Sequence, residues 1–232
     1  MTTSTKAKSK SKKQSSSAGI WIIIGAVLLL GLVVLLLWLN NRPTIVSVAQ
    51  PEVPAEWISG KSLGDPNAPV VVQMWEDFVC PACQQFTRTV KPQLVEEFVK
   101  TGDVRLEFHQ FPLSQHAPGA IMAANASECA ADQNLFWPYH DQVFVAAESR
   151  GQAALVYDEL MKMATTVGLD TNQFSTCMNS MQFNNDIAQS LTETQQLGLN
   201  STPSILVNGA LVANPFDYNA LRAQIEAAAA GS

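Results

Sequence analysis

Histidine and cysteine are scarce in this sequence, which has three histidines and four cysteines among 232 residues. Cys80 and Cys83 are close together, whereas Cys129 and Cys177 are each isolated. A structural zinc site needs about four ligands, often from two close pairs, so this distribution argues against zinc. Basic residues are also few: residues 20–232 contain nine, against twenty acidic ones. Because nucleic-acid-binding proteins are basic, the composition argues against nucleic acid as a partner.

The N-terminal segment lacks the mixed polarity of a folded domain. Residues 1–19 contain five lysines and no acid, which is typical of a solvated basic tail. Residues 20–39 contain no charged residue, and a helix of that length spans the roughly 30 Å hydrocarbon core of a bilayer. We therefore expect a transmembrane helix with its N-terminal end in the cytoplasm and the remaining chain on the outer side of the cytoplasmic membrane.

A cleaved signal peptide is the alternative for this segment. Its apolar core would be about 7–15 residues long, with a small-residue cleavage site close behind it. Here the apolar run is longer, and the nearest candidate cleavage site, Ser47-Val48-Ala49, lies well downstream. The sequence favours an uncleaved anchor that is followed by a proline-containing stalk over residues 40–65.

The sequence beyond the stalk indicates both strands and helices. A β-rich stretch at about 70–75 is followed by a helix that starts at the Cys80–Cys83 pair. Alternating apolar residues predict a second strand over 104–112. A long stretch of helical character comes next, Asn208-Gly209 then predicts a hairpin, and a helix over about 218–230 ends the chain.

This order of elements predicts an α/β thioredoxin-like fold with a helical insertion. A β-α-β half and a β-β-α half contribute to one sheet, and a block of helices separates the two halves along the chain. We therefore assign residues 66–115 and 198–232 to the thioredoxin-like domain and residues 116–197 to the insertion.

Cys80-Pro81-Ala82-Cys83 has the spacing of a redox-active cysteine pair. Disulfide exchange needs one exposed thiolate of low pKa and a second thiol that resolves the mixed disulfide. Cys80 precedes a predicted helix, where unpaired backbone N–H groups and the helix dipole stabilise an anion. Pro81 and Ala82 add no charge, so the Cys80 thiolate depends on the helix N-terminus. Cys83, one turn further on, is expected to be the buried resolving thiol.

Thr202-Pro203 lies between the helical segment and a β-rich run. In a thioredoxin-like sheet a cis-proline begins the strand that faces the cysteine pair, and the neighbouring backbone pairs with an extended substrate chain. The alternative is an ordinary loop proline. Because Pro203 follows a Cys-x-x-Cys motif and precedes the sequence SILVNG, the sequence favours the functional interpretation.

Four motifs occur in order within roughly residues 60–230. They are DFVCPAC, QFPL followed by His116, ASECAADQNLFWPYHDQVF, and NSTPSILVNG. Together they resemble the DsbA-like thiol–disulfide oxidoreductases, and in particular the membrane-anchored subgroup of BdbD and the actinobacterial DsbA homologues. The resemblance is more specific to the family than to the direction of electron flow.

The resemblance implies a role for each site residue. Cys80 is the nucleophile, Cys83 the resolving cysteine and Pro203 the cis-proline. Cys129 and Cys177 form a structural disulfide within the insertion, and two buried, reduced cysteines are the alternative. The substrates are exported proteins with cysteines, and a membrane protein of the DsbB or vitamin K epoxide reductase type re-oxidises the enzyme. No cofactor and no metal is expected.

One position departs from the family pattern. Thioredoxin-like proteins often have a buried acid six residues before the nucleophilic cysteine, where it accepts a proton from the resolving thiol. Here that position is Met74. Glu76 has the same strand parity as Met74, and Asp77 lies nearer to Cys80, so each is a candidate replacement. Both acids are equally compatible with a solvated loop, and the sequence leaves the proton carrier open.

Three functions are compatible with these residues. The first is an oxidase that donates the Cys80–Cys83 disulfide to exported proteins, which the expected location favours. The second is a reductase for particular exported proteins such as apocytochromes c. The third is a non-catalytic module that holds extended peptides beside the cis-proline, and the intact cysteine pair argues against it.

Overall fold

A computed structural model of the chain describes residues 18–40 and 50–231, with side chains for residues 22–36 in the first range. The chain divides into two units, Met1–Thr44 and Ile45–Ser232. Helix α1, Ala18–Asn40, covers the predicted transmembrane segment. Within the described residues, no helix is long and apolar enough to cross a membrane. The anchor therefore stays a prediction, and most of the predicted tail and residues 41–49 of the predicted stalk lie outside the described residues.

The second unit contains one mixed sheet. Its strands are β1 (Ile58–Ser59), β2 (Ser62–Leu63), β3 (Val70–Glu76), β4 (Val104–Gln110), β5 (Ser204–Val207) and β6 (Ala210–Leu211). Their order across the sheet is β1-β2-β4-β3-β5-β6. β3 and β4 are parallel, and the other neighbours are antiparallel. The turn between β5 and β6 is Asn208-Gly209, as the sequence predicts.

The sheet begins earlier in the chain than the sequence predicts. β1 and β2 lie within residues 40–65, which the sequence assigned to a stalk. Leu63 is fully buried and pairs with Leu106 of β4. A strand of two residues is too short to show alternating polarity, so the sequence pattern could not reveal it. The boundary predicted at residue 66 was therefore wrong, because the sheet already includes Ile58.

Helices follow the cysteine pair, fill the predicted insertion and end the chain. They are α2 (Pro81–Thr89), α3 (Lys91–Leu94), α4 (Gly119–Ala131), α5 (Phe136–Arg150), α6 (Tyr157–Thr166), α7 (Thr171–Ser180), α8 (Asn184–Gln196) and α9 (Tyr218–Ala230). Pro92 interrupts the helix that follows the cysteines, as predicted, and lies in the first turn of α3, where a missing N–H costs little. These elements confirm a thioredoxin-like α/β fold with a helical insertion.

The two faces of β3 contact different apolar clusters. Val72 and Met74 belong to the main core, which continues into the helical insertion. Trp75 and Leu206 belong to a smaller cluster on the other face. Because side chains alternate along a strand, Glu76 has the parity of Met74, and its carboxyl group is directed toward the main core.

Candidate active site

Cys80 and Cys83 differ in their access to solvent. Cys80 is the N-cap residue of α2, and Cys83 lies in the first turn of that helix. Both are free thiols; Cys80 is 8% exposed, whereas Cys83 is 0% exposed. The backbone N–H of Asp77 donates to Cys83 Sγ at 3.5 Å. Of the two sulfur atoms, Cys80 Sγ is therefore the one that a substrate thiol can reach.

The loop that contains Thr202 and Pro203 lies against Cys80. The Thr202-Pro203 peptide bond is cis. Cys80 Sγ lies 3.4 Å from the carbonyl oxygen of Thr202, to which it donates in its thiol form. The buried hydroxyl of Thr202 has no hydrogen-bond partner among the described residues, so it is available to donate to a thiolate. A substrate joined to Cys80 would therefore lie beside this loop.

Opposite pKa shifts separate the two cysteines. The pKa of Cys80 is lowered from 9.0 to about 5, chiefly by a hydrogen bond from the Cys83 thiol. Burial opposes this shift, while Thr202 and the backbone N–H groups of Cys83 and Ala82 favour the thiolate. Burial raises the pKa of Cys83 well above 9.0, and its hydrogen bond to Cys80 and the charge of Glu76 raise it further. At neutral pH the pair therefore contains one thiolate and one thiol.

Glu76 is a buried acid that acts electrostatically on Cys83. Its side chain is fully buried, Oε2 accepts a hydrogen bond from Thr87 Oγ1 at 3.4 Å, and Oε1 has no partner among the described residues. Burial raises the pKa of Glu76 from 4.5 to about 8, although Lys91 and Thr87 lower it in part. Glu76 therefore carries a proton at pH 7 and titrates near physiological pH, as a proton carrier for Cys83 must.

Asp77 has a different set of contacts. Its Oδ1 accepts from the backbone N–H of Val79 at 2.7 Å. Its Oδ2 accepts from the backbone N–H of Leu113 at 2.8 Å and lies 2.8 Å from Nδ1 of His116. These contacts fasten the loop before Cys80 to a distant part of the chain. Of the two acids that the sequence left open, Glu76 has the raised pKa and acts electrostatically on Cys83, whereas Asp77 accepts hydrogen bonds from two backbone N–H groups.

Sequence reasoning missed two buried polar residues behind the cysteine pair. Thr87 and Lys91 follow Cys83 at intervals of four residues, and both are buried. Residues four apart lie on one face of a helix, so this spacing already pointed to a polar stripe beside Cys83. Lys91 forms an ion pair with Asp141 of α5.

The second cysteine pair lies inside the helical insertion. Cys129 of α4 and Cys177 of α7 form a disulfide with a Cα–Cα distance of 5.9 Å, and their exposed fractions are 1% and 3%. The side-chain amide of Asn125 donates to Met178 Sδ at 3.4 Å beside this bridge. The disulfide joins two helices and is shielded from solvent, an arrangement suited to a structural role.

Potential metal ligands do not cluster at either pair. Within residues 18–40 and 50–231, no group of three His, Cys, Asp or Glu side chains is arranged to hold a metal ion. The polar groups around Cys80 are hydrogen-bond donors, namely a thiol, a hydroxyl and backbone N–H groups. Such donors stabilise an anion and suit thiol–disulfide exchange.

Known proteins are similar to this chain in both fold and sequence. The thioredoxin family model matches residues 58–227. The "Probable disulfide bond formation protein D" of Bacillus anthracis is 30% identical over 168 residues, which cover 72% of this chain and 76% of that protein. The crystal structure of oxidised BdbD from Bacillus subtilis matches with a TM-score of 0.69 and 25% identity, over 79% of this chain and 98% of that one.

The chain is also similar to one part of a longer protein. The chain is 31% identical over 169 residues to the Na(+)/H(+) antiporter NhaA 3 of Salinispora tropica, covering 73% of this chain and 24% of that protein. The fold, the thiolate at Cys80 and the buried thiol at Cys83 agree with the family model and with the relatives named for disulfide bond formation. The chain belongs to the thioredoxin family and is a DsbA-like protein disulfide oxidoreductase.

Proposed function

We propose that the enzyme is an oxidase that donates its Cys80–Cys83 disulfide to exported proteins. The observation that carries this proposal is the stabilised thiolate of Cys80, whose pKa of about 5 lies far below the ordinary 9.0. Stabilising the thiolate favours the reduced pair, which makes the disulfide form a stronger oxidant. The Bacillus relative named for disulfide bond formation supports the same direction of electron flow.

The exchange begins when a substrate thiolate attacks Cys80 Sγ in the disulfide form. The bond between Cys80 and Cys83 breaks, its electron pair leaves on Cys83, and the substrate becomes joined to Cys80. The buried Cys83 thiolate takes a proton from Glu76. A second substrate thiolate then attacks the substrate sulfur of the mixed disulfide, which forms the substrate disulfide and releases Cys80 as a thiolate. Two electrons pass from the substrate to the cysteine pair.

The reduced enzyme must pass these two electrons to another oxidant before it reacts again. We assign this step to a membrane protein of the DsbB or vitamin K epoxide reductase type. Re-oxidation uses the same residues in the opposite sense. After the first exchange Glu76 regains a proton from solvent, because its pKa is about 8, and it must release this proton before re-oxidation. The Cys80 thiolate attacks the partner's disulfide, the Cys83 thiol gives its proton to ionised Glu76, and the Cys83 thiolate then attacks Cys80 and releases the reduced partner.

We also propose that the enzyme is anchored in the cytoplasmic membrane by residues 20–39, with residues 1–19 inside. The uncharged run and the five lysines before it support this orientation. Alkaline phosphatase joined after Ser232 should be active in intact cells, since it needs an oxidising compartment to form its disulfides. The same fusion without residues 20–39 is the control, and an inactive full-length fusion would contradict the proposed location.

The reduction potential distinguishes the oxidase from a reductase. Equilibration with glutathione should give a value nearer to the roughly −120 mV of DsbA than to the roughly −270 mV of thioredoxin. A value near that of thioredoxin would instead support a reductase for exported proteins such as apocytochromes c.

A trapping experiment tests the remaining alternative. The Cys83→Ala variant cannot resolve mixed disulfides, so it should accumulate exported proteins bound through Cys80. Cys80→Ala is the matched control and should trap none. If Cys83→Ala also traps none, and the intact chain fails to oxidise a reduced, unfolded protein, the peptide-binding module becomes the better explanation.

A further inference from the structure

Glu76 needs a path to solvent if it supplies a proton in each turnover. Its carboxyl group is fully buried. Cys80 is only 8% exposed, and in the mixed disulfide the substrate itself covers that sulfur and the Thr202 loop. A proton that reaches Glu76 during this step must therefore arrive from another side of the molecule.

One polar group links Glu76 to a groove on the surface. Thr87 Oγ1 lies 3.4 Å from Glu76 Oε2, and among the described residues it makes the one side-chain hydrogen bond to this carboxyl group. Thr87 also lines a groove between α2 and α5 with a volume of about 240 Å³, which leaves room for several water molecules. Apolar side chains form much of the lining, but Arg88, Asp141 and Glu148 also line the groove and provide polar groups that can hold water along one part of it.

The charged groups around Glu76 do not replace it as a proton carrier. Lys91 of α3 is paired with Asp141 of α5. Burial opposes the ionisation of Asp141, but Lys91 and His140 outweigh it and hold the pKa of Asp141 below its usual range. Burial lowers the pKa of His140 to about 4, and Lys91 lowers it as well. At neutral pH Asp141 is therefore ionised and His140 neutral.

The cysteines of α2 complete the surroundings of Glu76. The Cys80 thiolate contributes to the raised pKa of Glu76, and the charge of Glu76 in turn raises the pKa of Cys83. These two sulfur atoms lie on the side that the substrate occupies. The groove side is left with the Thr87 hydroxyl as the direct contact to the carboxyl group.

We propose that Glu76 exchanges its proton with solvent through the hydroxyl of Thr87, at the groove between α2 and α5. The hydroxyl donates to Glu76 and can accept from a water in the groove, so rotation about its C–O bond passes a proton inward as another enters. Thr87 is a positioning residue that acts through Glu76. This inference rests on the proposed disulfide exchange and adds a route that stays open while substrate is bound.

The test is Thr87→Val in the full chain, which keeps the β-branched shape and removes the hydroxyl. We expect the rate of peptide oxidation at pH 7 to fall at least about fivefold, because reprotonation of Glu76 becomes slow. The equilibrium potential against glutathione should change much less. The ratio of rates in H₂O and D₂O should rise, and the pH midpoint should move upward because the Thr87 hydrogen bond lowers the pKa of Glu76.

Two variants serve as controls for the missing hydroxyl. Thr87→Ser returns the hydroxyl and should restore the rate. Thr89→Val removes the same atoms from an exposed residue of the same helix, whose hydroxyl donates to the Gln85 carbonyl oxygen at 2.8 Å, and should not slow exchange. If Thr87→Val does not fold, the rates of Thr87→Ser, which has a hydroxyl, and Thr87→Ala, which has none, are compared instead.

A double-variant cycle separates proton transfer from a packing defect. In a Glu76→Gln background there is no carboxyl proton to deliver, so Thr87→Val should cause no further loss. The proposal is overturned if Thr87→Val keeps the normal rate, if Thr89→Val is equally slow, or if the loss persists in the Glu76→Gln background. An intact chain that oxidises no substrate would instead refute the proposed function.

Discussion

The two cysteine pairs show how different surroundings direct the same side chain to different chemistry. Around Cys80 the donors converge on one sulfur, while Cys83 is buried behind it, so the pair is asymmetric. Cys129 and Cys177 are both buried, lie on two helices and are joined. The first pair is suited to thiol–disulfide exchange because one sulfur is an accessible thiolate and the other is a buried thiol. The second pair is suited to joining two helices because its disulfide is shielded from solvent.

The largest effect should come from Cys80→Ser. We expect oxidation of a reduced peptide to fall at least about a thousandfold, because the oxygen of serine is a poor nucleophile and cannot form the disulfide. The measurement is the fluorescence of a peptide that changes when its cysteines join. The matched control is the double variant Cys129→Ala with Cys177→Ala, which should keep its rate within about threefold. A similar loss in both proteins would break the division between a reactive and a structural pair.

The double variant Cys129→Ala with Cys177→Ala should lower the stability of the folded protein more than Cys80→Ser does. A disulfide that closes a loop of 48 residues is worth about 4 kcal/mol in the chain-entropy model. We expect the free energy of unfolding, measured in urea with the Cys80–Cys83 pair in one defined redox state, to fall by about that amount. A loss below about 1 kcal/mol would mean that the bridge does little to hold α4 and α7 together.

The order of elements was predictable because local patterns encode it. Asn208-Gly209 marks a hairpin, Pro92 marks a helix break, and the Cys-x-x-Cys motif with Thr202-Pro203 marks the two sides of the site. The contact of Lys91 with Asp141 was not predictable, because it joins residues 50 apart through the helical insertion. No local periodicity reports such a contact.

The choice between Glu76 and Asp77 also needed the structure. Strand parity placed Glu76 on the face of Met74, but parity says nothing about where the strand ends. β3 ends at Glu76, so Asp77 leaves the alternating pattern and turns toward Leu113 and His116. Leu113 and His116 lie more than thirty residues from Asp77 along the chain, which is why the sequence could not distinguish a structural acid from a proton carrier.

Glu76→Gln should remove a pH dependence of stability that arises beside the reactive pair and has no counterpart at the disulfide. In the unfolded chain Glu76 ionises near pH 4.5, while in the folded protein it keeps its proton until about pH 8. Between these values rising pH favours unfolding, so Glu76 costs stability that Gln would not. We expect the variant to be more stable at pH 7 by up to about 3 kcal/mol, and equal to the original chain below pH 4.

The pH dependence distinguishes this effect from a general change in packing. Urea unfolding of the reduced protein at several pH values measures how the free energy of unfolding depends on pH. The matched control is Asp77→Asn, which loses part of its acceptor capacity for the 113–116 segment and should be less stable than the original chain at pH 7. A Glu76→Gln variant whose gain does not grow between pH 4.5 and 8 would contradict a raised pKa at Glu76.

The smallest expected effect concerns a single donor to the reactive thiolate. Thr202→Val removes a hydroxyl that favours the Cys80 thiolate while keeping the shape of the loop residue. We expect the Cys80 pKa to rise by about one unit, since a hydrogen bond to a charged group is worth about 1.5–3 kcal/mol and the backbone N–H groups remain. Thiolate absorbance near 240 nm during a pH titration measures the shift.

The sign of this effect follows from the depressed pKa of Cys80. The thiolate adds stability to the reduced form that is complete above pH 9 and is lost as the pH falls to about 5. In Thr202→Val that loss should be complete nearer pH 6, and the disulfide form should be a weaker oxidant. Ser201→Ala is the control, since the carbonyl oxygen of Ser201 accepts from Ser204 and its side chain is exposed. An unchanged titration in Thr202→Val would mean that the Cys83 thiol and the end of α2 alone create the asymmetry that distinguishes the reactive pair from the structural one.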